Sequence, residues 1–366
     1  MRTQTVAVVG AGFAGVATAY HLARAGARVV VLERERAAGM HASGQNAGIL
    51  RTAIQDPALA RVAAAGARGA AEVNARAPHP FIRACGSLLT ASGTALEWLE
   101  AAVKDGDGAY ALVTPSVASR RVPPLAPSVF RAALWAPGDG VADVATYLAC
   151  LVAGAREAGA SFHLGCEVLG GHVLPSAGPV RLETTAGVVE ADSVVLAVGA
   201  WADGLAGRLG LPPLGVVPFR RHLHATGILK HVDPCWPFVW SVTHEVYFRP
   251  ESGGLLLCAC DQEPWTPCVP TSDPQNLEVL AHKMETAFPG LADLPIMRSW
   301  AGLRSFVPDH RFVLGQDARA PCVHWAAALG GHGVTSAWEV GRLVAEEVLG
   351  VGAPPPDLHV RRLAGA

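Results

Sequence analysis

The chain has 366 residues, 51% of them hydrophobic and 16% charged, with a net charge of −2. This length supports two domains, or one with a large insertion, and the composition excludes a disordered or fibrous chain. The charge balance offers no basic field for nucleic acid, and no apolar run reaches the roughly 18 residues of a membrane span. No cleavable leader precedes the first apolar run, so a cytoplasmic protein is expected, with peripheral membrane attachment left open. The eight cysteines show neither C-x-x-C pairs nor zinc spacing. They read as small core residues in a reducing compartment, and no metal is expected.

Val6-Ala7-Val8-Val9 runs into Gly10-Ala11-Gly12-Phe13-Ala14-Gly15, and a second apolar run, Val29–Leu32, ends at Glu33. This order predicts a dinucleotide-binding βαβ unit. Gly10 makes the turn, Gly12 lets backbone N–H groups approach a pyrophosphate, and Gly15 lets the helix pack on the strand. Glu33 is placed to accept hydrogen bonds from ribose hydroxyls and would repel a 2′-phosphate, which disfavours NADP. The polar, Gly-rich stretch Gly39–Leu50, with Ser43, Gly44, Asn46, Ala47 and Gly48, reads as a loop wrapping a ligand.

A helix is predicted from Pro57 to Ala75, then a mixed sheet with short helices from Phe81 to Leu134, then a helix from Asp143, its N-cap, through Glu157. Short strands follow at Phe162–Cys166, Val180–Thr184 and Val188–Glu190. A buried strand after Ala191 ends in a glycine turn at Gly199. If it returns to a parallel sheet, Gly199 and Trp201 lie near the ligand, because such sheets bind ligands at their carboxyl ends. Residues 216–300 read as sheet, including a strand Leu255–Cys260, plus one helix, Asp273–Ala287. The stretch from Val323 repeats the strand-then-glycine pattern through Gly330, Gly331, His332 and Gly333, and enters a helix through Leu349. A second helix N-terminus is thereby available to an anionic or carbonyl group.

Five segments occur in one order: the Gly-rich N-terminus, Ser43–Gly48, Ala197-Val198-Gly199-Ala200-Trp201, Trp300–Phe306 with Pro308-Asp309, and Gly330–Gly333. Together they resemble the FAD-dependent D-amino acid oxidase superfamily, across nearly the whole chain. Val30–Glu35 and Tyr247-Phe248-Arg249-Pro250 are most similar to its D-arginine dehydrogenase and glycine oxidase-like members. The resemblance implies an α/β fold with a discontinuous Rossmann-like FAD-binding domain (1–80, 141–215 and 300–366). Into it is inserted an α+β substrate domain with an antiparallel sheet (81–140 and 216–299).

The cofactor so implied is FAD, held without a covalent bond because no family-type cysteine follows Arg304. Arg34, Val168, Gly302, Arg304, Val334 and Thr335 join the residues above as implied cofactor contacts. The resemblance also implies that Arg304 grips a substrate carboxylate and Tyr247 hydrogen-bonds it, a guanidinium fork and a phenol suiting that group. One of Arg220 and Arg221 approaches the substrate; Arg221 is taken as the contact, without the sequence separating the two.

Four positions depart from the dehydrogenase pattern. Ser87 stands where that enzyme reads a cationic side chain with glutamate, so arginine or lysine is not expected as substrate. Ile49 and Ile54 make the pocket more apolar. Arg51 either faces solvent, the commoner case, or meets a second anionic group. His41, His222, His224 and His332 are candidate acid–base groups, with His332 expected to serve the cofactor.

The expected reaction is oxidation of an α-amino acid, D- or N-substituted, to the imine and then the 2-oxo acid, with hydride passing to flavin N5. Oxygen or a quinone reoxidises the flavin. Oxidation of a 2-hydroxy acid such as 2-hydroxyglutarate is the alternative, and a non-catalytic electron-transfer flavoprotein is the third reading.

Overall fold

The computed structural model describes residues 4–106, 109–173 and 179–365. Strand Thr5–Val9 is central to a six-stranded sheet, in the order Val313–Asp317, Ala320–Ala327, Ser193–Leu196, Thr5–Val9, Arg28–Glu33, Ser161–Leu164. All its pairs are parallel except that between Val313–Asp317 and Ala320–Ala327. Continuous apolar runs form such strands because helices and a β-meander cover both faces. On one face helices Phe13–Arg24, Pro57–Arg76, Val144–Glu157 and Gly333–Val348 bury Val8, Val31 and Val195. On the other, Ala7, Leu32, Val194 and Trp325 pack under helix Ala202–Arg208 and the strands between 168 and 191.

The predicted elements lie close to those observed. Pro57–Arg76 and Val144–Glu157 are capped by Asp56 and Asp143, each carboxylate accepting from two backbone N–H groups. The strand before Gly199 pairs in parallel with the first strand, Ala7 opposite Val194. The helix expected from Asp273 starts at Asn276, and the strand expected to reach Cys260 ends at Cys258.

The second sheet has nine strands. Val217–Thr226 pairs along its whole length with Ile296–Phe306, and Gly254–Cys258, Val246–Glu251, Phe238–Ser241, Ser87–Ala91 and Ala132–Ala136 follow in order. One long strand therefore runs across position 300, where the sequence places a boundary. Its register is strict: Arg221 lies opposite Gly302, Phe219 opposite Arg304, and Trp240 opposite Tyr247. Because strand side chains alternate, one face carries Arg221, Leu223, Trp240, Tyr247 and Arg304, and the other packs Val239, Val246 and Phe248 on helix Asn276–Ala287.

One close packing makes the fold testable. At Gly341 an added Cβ would overlap the backbone of Ala17, whereas Gly207 faces open space within a helix. Gly341→Ala is expected to destabilise by about 1–3 kcal/mol in urea unfolding, with Gly207→Ala neutral or slightly stabilising.

Between the first and last helices, His21 hydrogen-bonds Trp338 O at 3.0 Å, and burial holds its pKa down to about 4; burial does the same to His324. Unfolded, each titrates near ~6.5, so the unfolded chain binds more protons in that window. Stability is therefore expected to fall as pH drops from about 6.5 towards 4, and less steeply in His21→Gln/His324→Gln, as read from urea midpoints.

Candidate active site

One cavity of about 1000 Å³ lies between the carboxyl ends of the parallel strands and the Arg221–Tyr247–Arg304 face of the nine-stranded sheet. Of the residues singled out in the sequence, Gly10, Gly12, Phe13, Ala14, Glu33, Arg34, Ser43, Asn46, Ala47 and Gly48 line it. So do Ile49, Arg51, Ile54, Val168, Gly199, Trp201, Arg221, Tyr247, Gly302, Arg304 and Gly330–Thr335. Gly15 and Gly44 do not; a Cβ at either would strike the carbonyl of Gly10 or Gly39, so they serve close packing beside it. Ser87 is placed away from the cavity wall. It is buried with its hydroxyl 2.6 Å from Asp139 Oδ2 and does not line the cavity, because that hydroxyl answers an otherwise costly buried carboxyl.

At the nucleotide end, Gly10 has φ +100°, and a Cβ there would sit 2.5 Å from Ala197 O. Helix Phe13–Arg24 begins at Gly12, which has no side chain to cap it; Phe13 N–H donates to Ser43 Oγ at 2.9 Å. Glu33 accepts from Ala11 N at 2.6 Å and from Glu35 N at 2.9 Å. The Arg34 guanidinium stacks 3.9 Å above the Trp201 ring, and His41 is bonded to Glu35 at 2.8 Å. His41 thus belongs to this end, away from Tyr247.

Strand alternation resolves the arginine pair. Arg220 points to the far face, against Glu263 and the Trp265 ring, while Arg221 points into the cavity. His222 and His224 share the far face, bonded to Asp261 at 2.7 Å and to Asn276 at 2.9 Å. That removes both from chemistry in the cavity.

Arg304 donates to Gly330 O and packs edge to edge with Gly331, where any Cβ would overlap its guanidinium. Among the described residues, no ion pair involves Arg51, Arg221 or Arg304. Burial and the neighbouring Arg221 charge lower the Arg304 pKa to about 10, which leaves it charged at neutral pH. Burial, with negative charge on the neighbouring Cys258 sulfur, drives the Tyr247 pKa well above the phenol range, so Tyr247 stays a neutral donor. Arg51 does not face solvent. Its guanidinium donates to Ala53 O at 2.7 Å, meets His332 Nε2 at 3.1 Å, and lies 4.7 Å over the Trp240 ring.

Residues not singled out as functional also shape the cavity. Arg249, buried and paired with Glu251 at 2.6 Å, donates its Nε–H to Ala47 O and so ties the Asn46–Gly48 loop to the sheet. Trp98 and Trp240 line the cavity, and their buried indole N–H groups have no acceptor among the described residues. The alternation Phe238, Trp240, Val242 was the available signal for Trp240; nothing local marked Arg249.

A parallel sheet whose glycine-turned strand ends open on a cavity floored by an antiparallel sheet is a dinucleotide-binding architecture. The chain belongs to the FAD dependent oxidoreductase (DAO) family, which matches residues 5–347. It is 28% identical to glycine oxidase of Geobacillus kaustophilus (strain HTA426) over 64% of this chain and 61% of that protein. A crystal structure of glycine oxidase from Geobacillus kaustophilus superposes with TM-score 0.84 at 26% identity, covering 98% of this chain and 99% of that one. D-amino acid dehydrogenase of Agrobacterium fabrum is 28% identical over 74% of this chain and 61% of its own length. L-proline dehydrogenase from P. horikoshii shares the fold, with TM-score 0.89 at 24% identity over 99% of this chain and 98% of that one. Matched stretches thus span about three fifths of those two curated relatives.

FAD is the family's cofactor, and the residues present fit it. The glycine cradle at Gly10, the helix start at Gly12 without a cap of its own, and a buried His332 Nδ1 without partner all call for a ligand with phosphates and acceptor atoms. No helix of the described residues is long and apolar enough to cross a membrane.

The Arg249 tether gives an expectation. Arg249→Met is expected to weaken FAD binding about tenfold or more, read by flavin fluorescence on dilution, because the Asn46–Gly48 loop loses a charged hydrogen bond.

Proposed function

We propose that the protein oxidises an α-amino acid, with a primary or N-substituted amine, to the imine that hydrolyses to a 2-oxo acid. The observation that carries this is Arg304, a guanidinium without a carboxylate partner, fixed against Gly330 and Gly331 on the same sheet face as Tyr247. A substrate carboxylate supplies the missing partner, accepting two N–H bonds from Arg304 and one O–H bond from Tyr247. The relatives named for amino-acid oxidation support an amine rather than a hydroxyl at the reacting carbon.

Gly10, Gly12, Phe13, Ala14 and Ser43 would hold the pyrophosphate, Glu33 the ribose, and Arg34 with Trp201 the adenosine end. The 330–333 loop and the helix it opens would face the isoalloxazine with backbone N–H groups and a positive dipole end. When bound without a covalent link, FAD supplies the two-electron acceptor for the hydride that leaves the substrate carbon.

The protein's own part is positioning. Arg304 and Tyr247 fix the carboxylate, which orients the Cα–H; Ile49, Ile54 and Leu223 exclude water from it. Tyr247 is a poor base because its neutral form is so strongly favoured, and His222 and His224 lie behind the sheet. The amine therefore reacts as its neutral form, its lone pair assisting departure of hydride, without a base at carbon. Oxygen or a quinone takes the electrons afterwards.

Arg304→Met is expected to lower kcat/KM about a hundredfold or more, and Tyr247→Phe about tenfold, from the loss of charged and neutral hydrogen bonds respectively. Steady-state rates with ammonia or amine release as readout check both. Unchanged rates in Arg304→Met would remove the clamp, and oxidation without any nitrogen product would move the reading to a 2-hydroxy acid.

A further inference from the structure

At the Arg51 end of the cavity, donors outnumber acceptors. Arg51 has five N–H groups, of which one meets Ala53 O and one meets His332 Nε2. A guanidinium only donates, so His332 Nε2 is the accepting nitrogen and the proton of the neutral ring sits on Nδ1. That Nδ1 is buried and has no partner among the described residues. The indole N–H groups of Trp98 and Trp240 are buried and unanswered as well, and both rings line the cavity, their centroids 6.0 Å apart.

The acid beside this cluster, Asp139, offsets the Arg51 charge only in part. Asp139 spends one oxygen on Thr52 N and Oγ1, at 3.0 and 2.6 Å, and the other on Ser87. Burial drives its pKa up, and it makes no ion pair with Arg51. With His332 Nδ1 left to the cofactor, a cation beside two unanswered indole N–H groups is costly unless an anion completes the set.

Two features assign that anion to the substrate. Trp98 and Trp240 stand on helix Thr94–Asp105 and strand Phe238–Ser241, on the side opposite the nucleotide-binding strands. Arg51 and Arg304 rest on neighbouring residues of one loop, His332 and Gly330–Gly331, which brings both guanidiniums within the span of one small molecule.

We propose that Arg51, with Trp240 and Trp98, binds a second carboxylate, so that the preferred substrates are dicarboxylic amino acids. This rests on the amino-acid reading above, in which Arg304 takes the first carboxylate. A cationic substrate would meet Arg51 and Arg221 with like charge and is rejected.

The test is binding to the oxidised holoenzyme, followed by perturbation of the flavin band, of succinate and glutarate against propionate and butyrate. None of these can be oxidised as an amine. In the wild type the better dicarboxylate is expected to bind about 10- to 100-fold more tightly than its monocarboxylate counterpart. In Arg51→Met this ratio falls to near one, and Arg51→Lys, which keeps the charge, restores part of it. Trp240→Phe, which keeps the ring and removes the N–H, lowers the ratio severalfold and guards against a folding artefact at position 51.

A wild-type ratio near one overturns the proposal, as does a ratio that survives Arg51→Met. Loss of FAD from Arg51→Met with the ratio intact also overturns it, by assigning Arg51 to the flavin. If neither class of acid perturbs the flavin, or if Arg304→Met leaves monocarboxylate binding unchanged, the amino-acid reading fails with it. Initial rates with D- and L-aspartate and glutamate against D- and L-alanine supply the catalytic counterpart, the acidic substrates being preferred.

Discussion

The rest of the site depends on arginine charge held at the cavity wall without a paired carboxylate among the described residues. Arg51, Arg221 and Arg304 line one cavity, and none is engaged in an ion pair among the described residues. Burying a cation costs several kcal/mol unless it is paired, so most buried arginines carry a carboxylate with them. Arg249 and Arg220, buried in the same sheet, do so through Glu251 and Glu263. The contrast separates arginines paired with glutamates from those that line the cavity. The lowered pKa of Arg304 is the same cost seen from its titration, with the neighbouring Arg221 charge adding to it.

The fold supplies this arrangement with two regular devices. Parallel strands end together, so Gly10, Gly199 and the 330–333 loop open on one side of the first sheet. Antiparallel strands alternate, so a strict register delivers Arg221, Trp240, Tyr247 and Arg304 to one face of the second sheet and sends Arg220, His222 and His224 to the other. Neither device needs the ligand to be present. The Gly331 contact with Arg304 then joins the two halves of the cavity.

Much of the nucleotide half was legible in the sequence, because its signals are local: apolar runs, glycines at turn positions, an acid at a strand end, Asp56 and Asp143 as caps. The substrate half was less so. Its side chains come from strands far apart in the chain, and only their pairing decides which residue of a dipeptide such as Arg220-Arg221 faces inward. Arg51 could be read either way from composition, and the Trp240 ring and His332 that hold it lie far off in sequence. Ser87 drew attention as a replaced position, yet the acid it answers, Asp139, sits on a turn with no motif around it. The long strand Ile296–Phe306 crossed an expected boundary because it joins the second sheet before the chain returns to the first.

The most direct measurement is anaerobic titration of the purified flavoprotein with D- and L-amino acids, N-methyl amino acids and 2-hydroxy acids, following the visible flavin band. The account predicts bleaching by an amino acid, with ammonia or an amine released, and a large loss of bleaching rate in Arg304→Met. Bleaching by a 2-hydroxy acid alone, or equal bleaching with and without the Arg304 guanidinium, would contradict it.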